Sequence, residues 1–337
     1  SEAALVNALA PGDRVLVFNY GVFSGGLANL ARRFNYTVDE VKLRWGEAVS
    51  PEDVEQRLKA DSPTDPYRAL LIVHNETSTG VTCDIAAVRK AMDAAGHDAL
   101  LIVDTVSSLA SIDFRMDEWG VDVVICGSQK GLMLPPGLGI LGVSRRALAL
   151  SASHGGSPRH FWDWEPIMRE NRIGLFPYTP ATLMLFGLRE SLRMLVDEEG
   201  LEYVFARHKR LADGVRAAVS AWGLQTVCER PTNASNTITA VRTPPGLDSN
   251  ALLKHAREQY GLSLGGGIGE LNGVAFRIGH LGSLNELEVL AMIGGTELAF
   301  ADLDIAVRPG SGLVACQASF IKASNTKKLE PAGLAAH

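Results

Sequence analysis

Apolar residues in the first half of the chain occur in short runs that alternate with amphipathic stretches. The runs predict strands over residues 14–18, 69–73, 99–103, 121–126 and 139–143. Two of these runs, 99–103 and 121–126, are almost continuously apolar, which is typical of strands buried on both faces of a parallel sheet. Helix-start signals follow at Ser50 and Asp84. The alternation therefore predicts an α/β domain with helices layered on a mainly parallel sheet.

The second half begins with a strongly helical region from residue 181 to about residue 222. A second alternation then predicts strands over 237–241 and 274–278, and helices over 248–260 and 285–300. We therefore expect a large domain over 1–195, a smaller C-terminal α/β domain over 196–310 and a mobile tail over 311–337.

Composition narrows the possible environments and partners. The formal net charge of −6 and the scattered Lys and Arg residues give no reason to expect a nucleic-acid partner. No apolar run approaches the roughly 20 residues needed to span a membrane. The start of the chain is not typical of a signal peptide, and the four separated cysteines favour free thiols in a reducing cytosol over disulfides or a metal cluster. A cytoplasmic location is expected.

Two polar residues stand at the ends of the two most apolar runs. Asp104 begins the segment Asp-Thr-Val-Ser-Ser, and Lys130 lies in the segment Gly-Ser-Gln-Lys-Gly. Alone, the aspartate is more typical of a turn cap and the lysine of a solvated side chain. Ligands of parallel sheets bind beyond the carboxyl ends of the strands, where both residues are expected. Lysine can hold the aldehyde of pyridoxal phosphate as a Schiff base, and aspartate can keep its pyridine nitrogen protonated, so the pair predicts a pyridoxal phosphate site.

Three other segments have candidate chemistry. The turn 74–80 is rich in hydroxyl groups, and Thr77 or Ser78 is suited to donate to a phenolate oxygen, although the segment could be only a polar turn. Arg277 interrupts an apolar strand, where an arginine either reaches solvent or binds a carboxylate with its planar guanidinium group. The glycines of 265–269 lack the spacing of a phosphate loop and predict a flexible loop beside the substrate pocket.

Several motifs in a fixed order identify a family. They are Glu2-Ala3-Ala4-Leu5-Val6-Asn7, Pro11-Gly12-Asp13, His74-Asn75-Glu76-Thr77-Ser78-Thr79-Gly80-Val81, Asp104-Thr105-Val106-Ser107-Ser108, Gly127-Ser128-Gln129-Lys130-Gly131 and Phe276-Arg277-Ile278-Gly279-His280. Through about residue 310 the chain resembles the class V, fold-type I aminotransferases that use pyridoxal phosphate and glyoxylate. The resemblance implies a two-domain α/β enzyme that is at least a homodimer.

The resemblance also implies a role for each matching position. Lys130 would be the Schiff-base lysine, and Asp104 would be the partner of the pyridine nitrogen. Val106 and Phe23 would pack on the two faces of the ring. Thr77 would bond the phenolate oxygen, Gln129 would approach the phosphate, and Thr179 of a neighbouring subunit would assist it. Arg277 would bind the substrate carboxylate.

The activity implied is transfer of an amino group from L-serine to glyoxylate, which yields hydroxypyruvate and glycine. Alanine or aspartate remains an alternative donor, and a pyridoxal phosphate lyase or desulfurase, or a scaffold without cofactor, remains an alternative class. The family's Ser-Gly-Thr-Gly phosphate loop is expected upstream of Ser1. Without that loop, we expect residues 1–337 to bind the cofactor phosphate weakly.

Overall fold

A computed structural model describes residues 1–153 and 157–329, with the side chains of 324–329 excepted. The chain divides into two compact units. Unit 1 contains Ser1–Leu201 and Cys228–Ala234, and unit 2 contains Glu202–Val227 and the residues from Ser235 onward. Among the described residues, no helix combines the length and the apolar character that a membrane span requires.

Unit 1 alternates strands and helices. In chain order its elements are α1 (Glu2–Ala8), β1 (Arg14–Asn19), α2 (Val22–Arg33), β2 (Thr37–Lys42), α3 (Pro51–Lys59), β3 (Tyr67–Val73), β4 (Asn75–Glu76), β5 (Val81–Thr82), α4 (Ile85–Ala95), β6 (Leu100–Asp104), β7 (Val123–Gly127), β8 (Gly139–Val143), α5 (Arg145–Ser153), α6 (Trp164–Asn171) and α7 (Thr182–Leu192). A π-helix over Arg193–Glu199 follows.

The main sheet of unit 1 has six strands in the order β2-β1-β3-β6-β7-β8. All neighbouring pairs are parallel except β7 and β8, which are antiparallel. Successive residues of β6 point to opposite faces, so that Leu101 and Val103 enter one hydrophobic core and Leu100 and Ile102 enter another. The predicted burial of this strand on both faces is confirmed, as is the α/β fold class.

Local signals explain two of the helix boundaries. The Ser50 hydroxyl accepts a hydrogen bond from the Asp53 amide at the start of α3, and Pro51 occupies the first helical position. The Asp84 carboxylate caps α4 in the same way, and Gly96 ends that helix with φ of 63°. Both predicted helix starts are confirmed.

Unit 2 packs helices against a small antiparallel sheet. Its elements are α8 (Leu201–Ala221), β9 (Ile238–Arg242), α9 (Ser249–Tyr260), β10 (Gly265–Gly266), β11 (Ala275–Gly279), α10 (Glu286–Asp302) and α11 (Ser311–Leu329), and the strand order is β10-β11-β9. The glycines expected in a flexible loop therefore include a paired strand. At Gly267, a Cβ atom would lie only 1.9 Å from the Leu271 carbonyl oxygen, so this backbone is closely packed.

The segment expected as a mobile tail begins with a packed helix. Cys316 and Phe320 of α11 lie in the hydrophobic core of unit 2. The Glu297 carboxylate of α10 accepts hydrogen bonds from the amides of Gly310 (2.8 Å) and Gly312 (2.7 Å), and so holds the start of α11. The small residues that made this segment look mobile allow this close packing. Residues 330–337 of the expected tail lie outside the described residues.

Candidate active site

Three strands of unit 1 end side by side at the carboxyl edge of the main sheet. Val73, the last residue of β3, lies opposite Asp104, the last residue of β6. Asp104 in turn lies opposite Ile125 of β7. Lys130 follows three residues after Gly127, where β7 ends. The topology therefore places Asp104 and the loop that contains Lys130 at one edge of the sheet, where parallel α/β sheets bind their ligands.

The Asp104 carboxylate is mostly buried and has few partners. Its Oδ1 atom accepts a hydrogen bond from the Val106 amide at 2.9 Å, and within the described residues this carboxylate makes no other hydrogen bond or ion pair. Burial raises its pKa from 3.8 to about 6, although the Val106 amide opposes the shift. A buried carboxylate without a side-chain cation is a suitable partner for a protonated pyridine nitrogen.

The loop that contains Lys130 is held by Ser128 and Gly131. The Ser128 hydroxyl donates to the Pro135 carbonyl oxygen (2.8 Å) and accepts from the Leu138 amide (3.2 Å). A Cβ atom on Gly131 would lie 2.1 Å from the Leu109 carbonyl oxygen, so only glycine fits there. The Lys130 side chain is partly exposed and has no hydrogen bond or ion pair with any described residue. Its amino group is therefore available to a ligand.

The loop after β3 is tied to the loop after β6. The His74 amide donates to the Asp104 carbonyl oxygen (2.8 Å). The Asn75 side-chain amide donates to the Ser107 hydroxyl (2.9 Å), which donates to the Asn75 carbonyl oxygen (2.8 Å). Thr77 lies in the turn between β4 and β5 and is buried. These bonds fix the turn that contains Thr77 relative to Asp104.

The other predicted cofactor contacts of unit 1 are Phe23, Val106 and Gln129. Phe23 stands in the first turn of α2, directly after β1, and its side chain is 45% exposed. Val106 and Gln129 follow the ends of β6 and β7. The structure thus brings a set of six predicted residues to one edge of the sheet, namely Phe23, Thr77, Asp104, Val106, Gln129 and Lys130. Thr179 lies apart from them in sequence, on the exposed segment between α6 and α7.

Arg277 belongs to unit 2. It occupies the middle of β11, and its Nε atom donates to the Gly266 carbonyl oxygen of β10 at 2.7 Å. This bond fixes the base of the guanidinium group within the small sheet. The binding roles assigned to all the predicted site residues remain predictions, including substrate carboxylate binding by Arg277 and phosphate binding by Thr179.

Sequence reasoning missed Glu76 and Ser24, and it considered Ser78 only as an alternative donor to a phenolate oxygen. Glu76 is fully buried, and its carboxylate joins the first turn of α2 to the turn that contains Thr77. The available signal was an acidic residue between a buried strand and a run of hydroxyl residues. Its partners in α2 lie more than 50 residues away in the chain, so spacing alone could not identify them.

Comparison with known proteins identifies the family of the chain. The family model for class-V aminotransferases matches residues 2–268. Serine–glyoxylate aminotransferase of Methylorubrum extorquens is 47% identical over 95% of this chain and 80% of its own length. L-aspartate–glyoxylate aminotransferase of Paracoccus denitrificans is 46% identical over 94% of this chain and 79% of its own.

A solved structure of another aminotransferase has the same fold as this chain. Pyridoxamine–pyruvate aminotransferase of Mesorhizobium loti superposes with a TM-score of 0.87 at 33% identity, over 96% of this chain and 81% of that one. The family model matches most of the chain, and the fold agrees with it over nearly the whole length. The chain therefore belongs to the class-V aminotransferases, which are pyridoxal phosphate enzymes of fold type I.

Proposed function

We propose that this chain transfers the amino group of L-serine to glyoxylate, with hydroxypyruvate and glycine as products. The observation that supports it most is the arrangement at the sheet edge, where β6 ends at Asp104 beside the strand that leads to Lys130. The donor and acceptor rest on the 47% identity to the Methylorubrum extorquens serine–glyoxylate enzyme.

The residues of unit 1 are suited to distinct steps. Bound pyridoxal phosphate would act as the electron sink that stabilises negative charge at the amino acid α-carbon. Lys130 would hold the cofactor through its amino group and, once released by the donor, would remove the α-proton and deliver it to the cofactor carbon. The Asp104 carboxylate would hold the proton on the pyridine nitrogen throughout, which keeps the ring electron-poor.

Three further residues would orient the reactants. The Thr77 hydroxyl would donate to the phenolate oxygen of the cofactor, and Arg277 would bind the α-carboxylate of the amino acid. Gln129 would approach the cofactor phosphate. In the second half-reaction the same residues would act in reverse order on glyoxylate, and Lys130 would return the proton to the carbon that becomes glycine.

A donor screen tests the proposed function. Serine, alanine and aspartate are each supplied with glyoxylate and pyridoxal phosphate, and glycine formation is followed over time. We expect the largest kcat/KM with serine. Aspartate is the second candidate, because the Paracoccus denitrificans aspartate–glyoxylate enzyme is 46% identical to this chain. A larger kcat/KM with aspartate than with serine would identify aspartate as the preferred donor. Absence of glycine formation with all three donors would contradict the proposal.

A desulfurase is less well supported. Persulfide-forming chemistry requires a thiol that can reach the substrate, whereas all four cysteines of the chain are buried. Burial also raises the pKa of the Cys126 thiol, the one nearest in sequence to Lys130, to about 11. The cysteine desulfurase of Thermococcus onnurineus is only 15% identical, so that likeness shows the fold alone.

We further propose that the active form is a homodimer. An exposed apolar surface extends over the segment before α7 and over α7 itself, and comprises Ile173, Leu175, Phe176, Leu183 and Phe186. Exposed apolar surfaces of this kind mark protein interfaces. Thr179 lies within the same segment, so a partner seated here would be next to the residue that the family pattern assigns to phosphate binding.

Leu183→Glu should convert the protein to a monomer with reduced transaminase activity. Leu183 is 86% exposed, so a charge there should disturb an interface and leave the fold intact. Leu287→Glu is the matched control, because Leu287 on α10 is similarly exposed at 77% but belongs to unit 2. Sedimentation velocity distinguishes the states. A monomeric wild type, or a Leu183→Glu protein that stays dimeric, would contradict this interface.

A further inference from the structure

We infer that Glu76 is a positioning residue that clamps the turn bearing Phe23 to the turn bearing Thr77, so that the residue on one face of the cofactor ring and the residue at its phenolate oxygen keep a fixed geometry. This inference rests on the proposed function, since it assigns the two turns to a pyridoxal phosphate ring. Glu76 itself is a buried residue of β4 and would contact no reacting atom.

The two oxygens of Glu76 form most of their hydrogen bonds to different loops, although the Phe23 amide also reaches Oε1 at 3.4 Å. Oε2 accepts hydrogen bonds from the amides of Phe23 (3.1 Å) and Ser24 (2.8 Å), and from the Ser24 hydroxyl (3.0 Å). Oε1 accepts from the amide (3.1 Å) and hydroxyl (2.6 Å) of Ser78. The Ser78 hydroxyl also accepts from the Val22 amide (3.1 Å). One carboxylate thus satisfies free amides at the start of α2 and also holds the residue after Thr77.

The backbone at Gly21 is adapted to this carboxylate. A Cβ atom at Gly21 would lie 2.4 Å from Glu76 Cδ and 2.3 Å from the Ser78 hydroxyl oxygen. Any larger residue would push the carboxylate out of the clamp. Gly21 therefore allows the loop after β1 to close directly onto the loop after β3.

A carboxylate here is more than an ordinary helix cap. Ser or Asn caps a helix with a short neutral side chain from the residue that precedes it. Glu76 is instead fully buried and, within the described residues, makes no ion pair. Such a group is held only by its hydrogen bonds and by the positive end of the helix dipole. Its length and its two acceptor oxygens allow it to join two distant loops, which a cap from α2 itself could not do.

Loss of the Glu76 hydrogen bonds should disturb the geometry of the cofactor ring site more than it reduces the stability of the fold. Phe23 and Thr77 stand on the two turns that Glu76 joins, and small misplacements of groups that orient reactants reduce rates strongly. Asp104 and Lys130 are held by separate hydrogen bonds, through His74 and Ser128, that a change at Glu76 leaves in place.

The test uses Glu76→Gln in the full chain, with Asp122→Asn as the matched control. Asp122 is another buried carboxylate of unit 1; it accepts from the Leu101 amide (2.9 Å) and pairs with Arg146 (3.0 Å) at the opposite end of β7. Hydrogen exchange of the amides of residues 22–24 is measured without cofactor. We expect about tenfold faster exchange in Glu76→Gln, because an amide presents only one acceptor oxygen. Asp122→Asn should leave exchange at these residues unchanged.

The second measurement is a titration with pyridoxal phosphate, followed by the circular dichroism of the bound cofactor. Glu76→Gln should weaken binding about tenfold and reduce the dichroism per bound cofactor, whereas Asp122→Asn should keep both within about twofold of wild type. Equal effects of the two variants, measured beside their urea unfolding, would reduce Glu76 to a structural residue and overturn the inference.

The outcomes separate this inference from the proposed function. A wild-type chain that binds no pyridoxal phosphate would contradict the function, and unchanged exchange at residues 22–24 in Glu76→Gln would overturn the clamp. If Glu76→Gln does not fold, Ser78→Ala removes only one donor to Oε1 and should shift exchange and affinity in the same direction by a smaller factor. An unchanged Ser78→Ala protein would then overturn the clamp.

Discussion

Lys130→Ala is expected to lose transamination by at least about three orders of magnitude, since loss of a general base alone reduces rates by about 10²- to 10⁴-fold. The variant also loses the amino group that attaches the cofactor, so the visible absorbance of lysine-bound pyridoxal phosphate should disappear. The fold should be unaffected, because the Lys130 side chain makes no hydrogen bond or ion pair with any described residue. Glycine formation from serine and glyoxylate, together with an absorbance scan, measures both effects.

Lys90→Ala is the matched control for this experiment. Lys90 is an exposed lysine on α4 of the same unit, so its loss should leave the absorbance and the rate at wild-type values. Added methylamine should restore part of the activity of Lys130→Ala, since a free amine can perform proton transfer in the vacated space. A wild-type rate of turnover by Lys130→Ala would show that this lysine takes no part in the reaction.

Asp104→Asn should reduce transamination by about 10²- to 10³-fold, the range seen when one preorganised electrostatic partner is lost from an active site. A neutral amide cannot hold a proton on the pyridine nitrogen, although it can still accept the hydrogen bond of the Val106 amide. Pyridoxal phosphate should still attach to Lys130. The kcat/KM values for serine compare the two proteins.

The same substitution should stabilise the cofactor-free protein at neutral pH. Burial raises the pKa of Asp104 from 3.8 to about 6, so the folded state binds a proton more tightly than the unfolded state between these values. The free energy of unfolding of the wild type therefore falls as pH rises from about 4 to about 6. A shift of about two pKa units corresponds to at most about 3 kcal/mol, so a gain of about 1–3 kcal/mol is expected for Asp104→Asn above pH 6.

Urea unfolding at several pH values measures this gain. Below about pH 3 Asp104 is protonated in both states, and the two proteins should have similar stability. An Asp104→Asn protein that is less stable than wild type at pH 7 would mean that the carboxylate already has a favourable partner. Such a result would contradict the idea that this aspartate is held ready for a cationic ligand.

The sheet edge was largely predictable from the sequence. Strands β6 and β7 are continuous apolar runs because both faces of the sheet are covered, and a polar residue directly after such a run must stand at the strand end. This pattern predicts that Asp104 and Lys130 lie at the carboxyl edge of the sheet, where the topology places them. The starts of helices α3 and α4 were equally predictable, because the residues that cap them lie next to the helices in the sequence.

Elements that depend on distant contacts were not predictable. Helix α2 begins with Val22-Phe23-Ser24-Gly25-Gly26, a weak helix sequence whose first turn is held by Glu76 from another loop. Helix α11 resembled a mobile tail because its packing against the core of unit 2 involves residues far away in the chain. In both cases the stabilising partner is distant along the sequence, so the local pattern of residues does not indicate it.

We propose that this chain holds pyridoxal phosphate on Lys130, at the edge of the sheet where β6 ends at Asp104. Borohydride reduction of the cofactor-loaded protein makes this attachment permanent, and mass spectrometry of the digested chain then locates it. The expected result is a pyridoxyl group on the peptide that contains Lys130, absent from Lys130→Ala. A pyridoxyl group on another lysine of the wild type, or transamination without any such label, would contradict attachment of the cofactor to Lys130.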